Sequence, residues 1–197
     1  IQKFGGINRY FKNLIEHFPE SVEPTLVTVV EPDDFPARLE MINCAASNHY
    51  SFHKVIKRWA ESRHVRRIYR EAQPDIIHPT YNRLLSRDQL SQTRNRQGRN
   101  TPVVLTVHDF THERFRRQIK NADRQIAWKS EAIERADAII CVSQSTLNDL
   151  GEFHPSAVGK ATVIYEADEL GDVESNSSGI QQFLDQRFFL FVGGRAE

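Results

Sequence analysis

Residues 101–113 read TPVVLTVHDFTHE, and residues 132–150 read AIERADAIICVSQSTLNDL. In the first stretch an apolar run from Val103 to Val107 ends abruptly in His108-Asp109. In the second, the run from Ala138 to Val142 ends in Ser143 and leads into an amphipathic segment. Near-continuous apolar runs are what parallel strands covered on both faces require. Polar residues at the carboxyl tips of such strands are what an open α/β sheet presents at its binding crevice. The two runs therefore predict an α/β fold with a parallel sheet, and they place His108 and Ser143 at its functional edge.

The flanking pattern agrees with alternating strands and helices. Ile7, Phe11, Leu14, Ile15 and Phe18 share one face at helical spacing, which predicts a first helix. Pro24–Val30 reads as a strand. Residues 31–50, with Pro32 and Pro36, read as a loop with room for a short helix. Phe52–Ala72 carries two apolar sets opposite a basic face and predicts one long helix. Asp75–His78 reads as a short strand, the Arg-rich stretch 82–100 as a loop, and Arg114–Arg135 as a single helix. Ser143 or Ser145 is suited to cap the helix that ends near Leu150. Ala161–Tyr165 is another strand. Glu166–Gly179 ends in SNSSG and has linker composition. Phe188–Val192 predicts one more strand, followed by Gly193-Gly194-Arg195. The domains expected are therefore 1–165, a linker over 166–186, and the first strand of a second domain over 187–197.

Lys and Arg number 26 and so do Asp and Glu, giving a formal net charge of zero. That argues against wholesale coating of nucleic acid, and no nucleic-acid module is recognisable. The balance is uneven along the chain. Residues 49–99 hold twelve Lys/Arg against four Asp/Glu, while residues 166–186 hold six acids and no Lys or Arg. The two cysteines, Cys44 and Cys141, form no disulfide framework and suit a reducing cytoplasm. No apolar run approaches the roughly 20 residues of a membrane span.

Four features bear on chemistry. Paired glycines at a helix N-terminus, Gly5-Gly6, let a phosphate approach backbone N–H groups with no Cβ in the way; an ordinary turn uses the same pair. His108 at a strand end can hydrogen-bond a substrate hydroxyl or share developing charge, and equally can be a satisfied core histidine. The pairs His49/His53 and His108/His112 have helical i, i+4 spacing, but no third ligand accompanies either, so no metal is expected. The basic helix within Lys54–Arg70 offers a surface for anionic headgroups or is simply a solvated face. The pairs Glu166/Glu174 and Glu23/Glu31 recur by chance in a charged chain and receive no role. No Asp-x-Asp occurs, so the usual metal–diphosphate clamp of one sugar-transferase fold is missing.

Taken in order, FGGINRYFKNLI, PDIIHPTYN, VVLTVHDFTHE, AIERADAIICVSQSTLNDL, ATVIYEADEL and FFLFVGGRAE resemble the family-4 (group 1) glycosyltransferases of GT-B fold. Mannosyltransferase-like members that build surface polysaccharides are the nearest likeness. The resemblance implies a Rossmann-like parallel sheet, the N-terminal, acceptor-side half of a GT-B fold, without the strand that the family has before Gly5. It also implies retaining transfer from a nucleotide-sugar donor to a glycan or lipid-linked glycan acceptor. By this likeness Gly5, Gly6 and Arg195 belong to the donor diphosphate, His108 is the catalytic residue beside the donor sugar, and Ser143, Thr146 and Tyr81 fall where acceptor contacts belong. Arg9 and Tyr10 match recurring positions without an assigned role. Where the family often reads Asn-Gly-Val-Asp after the VIY strand, this chain has Glu166-Ala167-Asp168. The resemblance further implies no resident cofactor or metal, and a place in the cytoplasm or peripherally on the inner face of the plasma membrane. The 197 residues alone are expected to be inactive, because they stop within the donor-binding half. Two rivals are a GT-B-like nucleotide-sugar epimerase and a non-catalytic α/β binding module that uses the basic helix on a membrane or partner.

Overall fold

The computed structural model describes residues 6–28, 39–43, 54–81 and 93–166, and of residues 54–62 the backbone only. Helix α1 spans Gly6–Glu16 and buries Phe11 and Ile15, the middle of the apolar face read from the sequence. Strand β1 covers Thr25–Thr28. It pairs in parallel with β2, Glu40–Asn43, in the register Thr25↔Glu40 to Thr28↔Asn43. Over 40–43 this corrects the reading of 31–50 as a loop; residues 31–38 and 44–50 lie outside the described residues. Glu-Met-Ile-Asn has no apolar run of its own, and its extended form comes from hydrogen bonding to β1. Ile15, Leu26 and Leu39 form a small core here, with Phe18 against it.

Helix α2 runs over Lys54–Ala72. The strand expected over Asp75–His78 reduces to a single parallel bridge between Ile77 and Val103. Ile77 donates its N–H to Pro102 O at 2.9 Å, and Val104 donates to Ile77 O at 2.9 Å. Pro74 and Pro79 flank this bridge and have no N–H to give, so the pairing cannot spread along the segment. Pro79 also keeps His78 out of helical geometry.

The main sheet is parallel, in the order β3-β4-β5. Strand β3 is Val104–Val107, β4 is Ala138–Cys141 and β5 is Ala161–Val163. Val104 stands opposite Ala138, and Val107 opposite Cys141. The β3–β4 pair is locked at its start: Val103 N–H donates to the Asp137 carboxylate and Asp137 N–H donates to Val103 O, each at 2.8 Å.

The long helix expected over 114–135 is two. Helix α3 covers Thr111–Arg114 and α4 covers Ala122–Arg135. Between them Asn121 has φ 63°, the left-handed conformation that Asn tolerates better than most residues. The Arg-rich turn thus interrupts the helix and leaves Phe115 exposed. Helix α5, Gln144–Phe153, is capped by Ser143, whose hydroxyl accepts from Thr146 N–H at 3.0 Å. A 3₁₀ turn, Pro155–Lys160, leads into β5.

Leu105, Val107, Phe110, Ala132, Ile133, Ile139, Cys141 and Leu150 form the principal core. Every one lies within residues 101–113 or 132–150. Each fully buried aliphatic side chain of this size contributes roughly 1.5–3 kcal/mol, so this cluster is what fixes the tip of β3 in space. No helix among the described residues is long and apolar enough to cross a membrane.

Candidate active site

The tip of β3 is where α1, the His78–Tyr81 segment and α5 converge. His108 follows Val107 directly. Its carbonyl accepts from the Thr146 hydroxyl at 3.1 Å, which ties the strand end to the first turn of α5. Its ring stands edge-to-face against Tyr10 of α1, centroids 5.2 Å apart at 88°. Its Nδ1 lies 3.2 Å from Glu166 Oε1, just beyond β5, within the same compact unit, Ile1–Glu166. Its Nε2 is buried and has no hydrogen-bond partner among the described residues. A buried polar atom without a partner is uncommon and calls for a reason.

Beneath His108 lies a polar cluster. Thr106 is buried, and its hydroxyl sits 2.9 Å from His78 Nε2 and 3.3 Å from Tyr10 Oη. Phe11 packs edge-on against the His78 ring, centroids 5.0 Å apart. Burial, helped by the nearby His108, pushes the His78 pKa from 6.5 down to about 4, so His78 is a neutral imidazole near pH 7. Burial acts to raise the Asp109 carboxyl, but the Thr111 amide and hydroxyl, Lys129 and His112 outweigh it and hold Asp109 below its ordinary value. The Thr111 amide donates to Asp109 Oδ1 at 2.9 Å. Burial and the Asp109 charge push the Tyr81 phenol up.

These groups surround a cavity of about 100 Å³ lined by Ile7, Tyr81, Thr106, His108, Asp109, His112 and Lys129. Ligand pockets typically run to roughly 300–1,000 Å³, so this one has room for only part of a ligand of that size. A wider hollow of about 370 Å³ is walled by a single stretch, Glu113 to Gln118, and carries none of the strand-tip groups.

The first turn of α1 and His108 thus share one pocket. A model of Glycosyltransferase Family 4 matches residues 4–167. The chain belongs to that family. No curated protein matches it. Membership makes the protein a glycosyltransferase in general type, with a sugar donor and an acceptor as substrates, on the Rossmann-like half of a GT-B fold.

Against that family background the expected site residues fall into three groups. His108 and Tyr81 line the cavity, and Gly6 opens α1 with free space where a Cβ would stand. Ser143 and Thr146 act locally on the scaffold: one caps α5, and the other is buried and holds the His108 carbonyl. Gly5 and Arg195 lie outside the described residues, as do His49 and His53. Sequence reading missed His78, Thr106, Lys129 and Glu166. His78 had a local signal, since the histidine of an IIHP tip occupies the same kind of position as His108. Lys129 had none, because a lysine on a helix reads as solvated until its surroundings are known.

Proposed function

We propose that the protein transfers a sugar, with retention, from a nucleotide-diphosphate donor to a hydroxyl of a glycan or lipid-linked glycan, in surface polysaccharide or glycoconjugate synthesis. Mannose is the sugar the sequence likeness favours. The observation that carries this reading is the unpartnered Nε2 of His108 in a family-4 chain, at a strand tip beside the first turn of α1. A buried ring nitrogen with nothing to bond is suited to a substrate hydroxyl.

In this reading Gly5 and Gly6 let the donor diphosphate approach the α1 N-terminus, where the helix dipole supplies about half a positive charge. Arg195 grips the same diphosphate, guanidinium to phosphate oxygens. Stabilising the leaving diphosphate is the main electrostatic task. A leaving phosphate oxygen can take the acceptor proton, so no carboxylate nucleophile of the retaining-hydrolase kind is required. His108 orients the sugar, and Tyr81 stands on the acceptor side with the Ser143–Thr146 turn behind it. The reaction needs no metal in this scheme, and its place is the cytoplasmic side of the membrane. There the exposed Arg66, Arg67 and Arg70 of α2 would draw the protein to anionic lipid.

The test is sugar transfer by a protein carrying both domains, with radiolabelled nucleotide sugar. His108→Ala should lower turnover by roughly 10²-fold or more while leaving the unfolding midpoint nearly unchanged. Wild-type turnover in that variant would remove His108 from the site.

A further inference from the structure

We propose that Glu166 is a positioning residue. It fixes His108 as the Nδ1–H tautomer, so that Nε2 faces the substrate as a lone pair and takes a neutral hydroxyl rather than a phosphate oxygen. The proposal rests on the functional reading above, and its test does not use transfer.

The geometry comes from two atoms of one ring. Nδ1 lies 3.2 Å from Glu166 Oε1, and Nε2 is buried with no partner among the described residues. An ionised carboxylate only accepts, so the proton of that hydrogen bond belongs to Nδ1. In a neutral imidazole the other nitrogen is then an acceptor, because the bond made by one nitrogen settles the state of the other. The pair need not be strong to do this. Glu166 is about half exposed, and surface ion pairs contribute little to stability. Choosing between two tautomers of similar energy asks for direction, not for a large binding energy.

The rest of the shell fixes the ring without competing for either nitrogen. The Thr146 hydroxyl holds the His108 carbonyl, and Tyr10 packs on the ring edge-to-face. His78 spends its Nε2 on Thr106 and is neutral near pH 7. Asp109 is turned to the Thr111 amide. What remains for Nε2 is a hydrogen-bond donor from beyond the described residues. A sugar hydroxyl is such a donor. A fully ionised phosphate oxygen is not, since it carries no proton to give.

The experiment is ¹⁵N–¹H correlation of histidine side chains in this chain, near neutral pH, with the His108 signals assigned by their loss in His108→Gln. The expected wild-type pattern is a protonated Nδ1 and a lone-pair Nε2. Glu166→Ala should shift the balance away from Nδ1–H, and Glu166→Lys, which places a donor opposite Nδ1, should invert it. Inorganic sulfate, a tetrahedral anion that carries no proton near neutral pH, should leave the pattern in place. A wild-type Nε2–H signal, an unchanged pattern in both variants, or conversion of His108 to imidazolium on adding sulfate would each overturn the assignment. Absence of sugar transfer by the protein carrying both domains, with the expected tautomer pattern in this chain, would count against the functional reading alone.

Discussion

Lys129 Nζ and Glu113 Oε2 lie 2.8 Å apart, with side chains 2% and 5% exposed. The ammonium also donates to Asp109 O at 2.8 Å and sits 4.8 Å from the centre of the Phe110 ring. It therefore staples α4 to the loop after β3, immediately behind the cavity. Glu113 Oε1 has no hydrogen-bond partner among the described residues, so the pair is incompletely satisfied.

Breaking that pair should cost much more than replacing it. Lys129→Met alone leaves a buried carboxylate uncompensated and should destabilise by about 3–5 kcal/mol. The double variant Lys129→Met/Glu113→Leu should recover most of that, since apolar replacements of buried pairs are often neutral. Urea midpoints measure both. A double variant as unstable as the single one would show that the Nζ bond to the Asp109 carbonyl dominates.

Thr146 and Ser143 should behave as scaffold. Thr146→Val keeps shape but removes the bonds to the His108 carbonyl and the Ser143 hydroxyl; the loss expected is about 1–3 kcal/mol. Ser143→Ala removes the α5 cap and should cost roughly 0.5–2 kcal/mol. Chemical denaturation checks both. A turnover loss with full stability would instead place these hydroxyls on the acceptor.

Stability should fall with acid through His78. Its folded pKa of about 4 lies below the ordinary 6.5. Between those values the unfolded chain takes up a proton that the folded chain refuses, so the contribution is complete above 6.5 and lost progressively toward 4. Its full extent is roughly 3 kcal/mol, at about 1.4 kcal/mol per unit. His154, also lowered by burial, acts in the same direction. His78→Gln should flatten the dependence of the unfolding midpoint over this window; an unchanged slope would remove His78 as its source.

The basic face of α2 makes an electrostatic prediction. The chain should co-sediment with vesicles containing phosphatidylglycerol and not with neutral ones, and binding should disappear near 1 M salt, where screening acts within about 3 Å. Each basic residue near an anionic surface contributes about 1 kcal/mol, so Arg66→Glu/Arg70→Glu should weaken binding by tenfold or more. Equal binding of the variant would move the contact elsewhere.

What local sequence carries, it carried well here. The β3 and β4 runs, the Ser143 cap and the buried face of α1 are short-range patterns of apolarity and hydrogen-bonding side chains, and each appears within a residue or two of its expected place. Local pattern was weaker where pairing or backbone strain decides. β2 exists because β1 lies beside it. The break between α3 and α4 turns on one left-handed asparagine.

The sequence by itself determined the α/β class, the parallel core strands and His108 at a strand tip, because burial period and turn chemistry are written residue by residue. Only the tertiary structure decided what stands around that histidine. Tyr10, His78 and Glu166 are 98, 30 and 58 positions away from His108 along the chain. Partnerships over such separations are set by how the helices and strands pack, and so is the burial of Lys129, which a one-dimensional pattern reads as a surface charge.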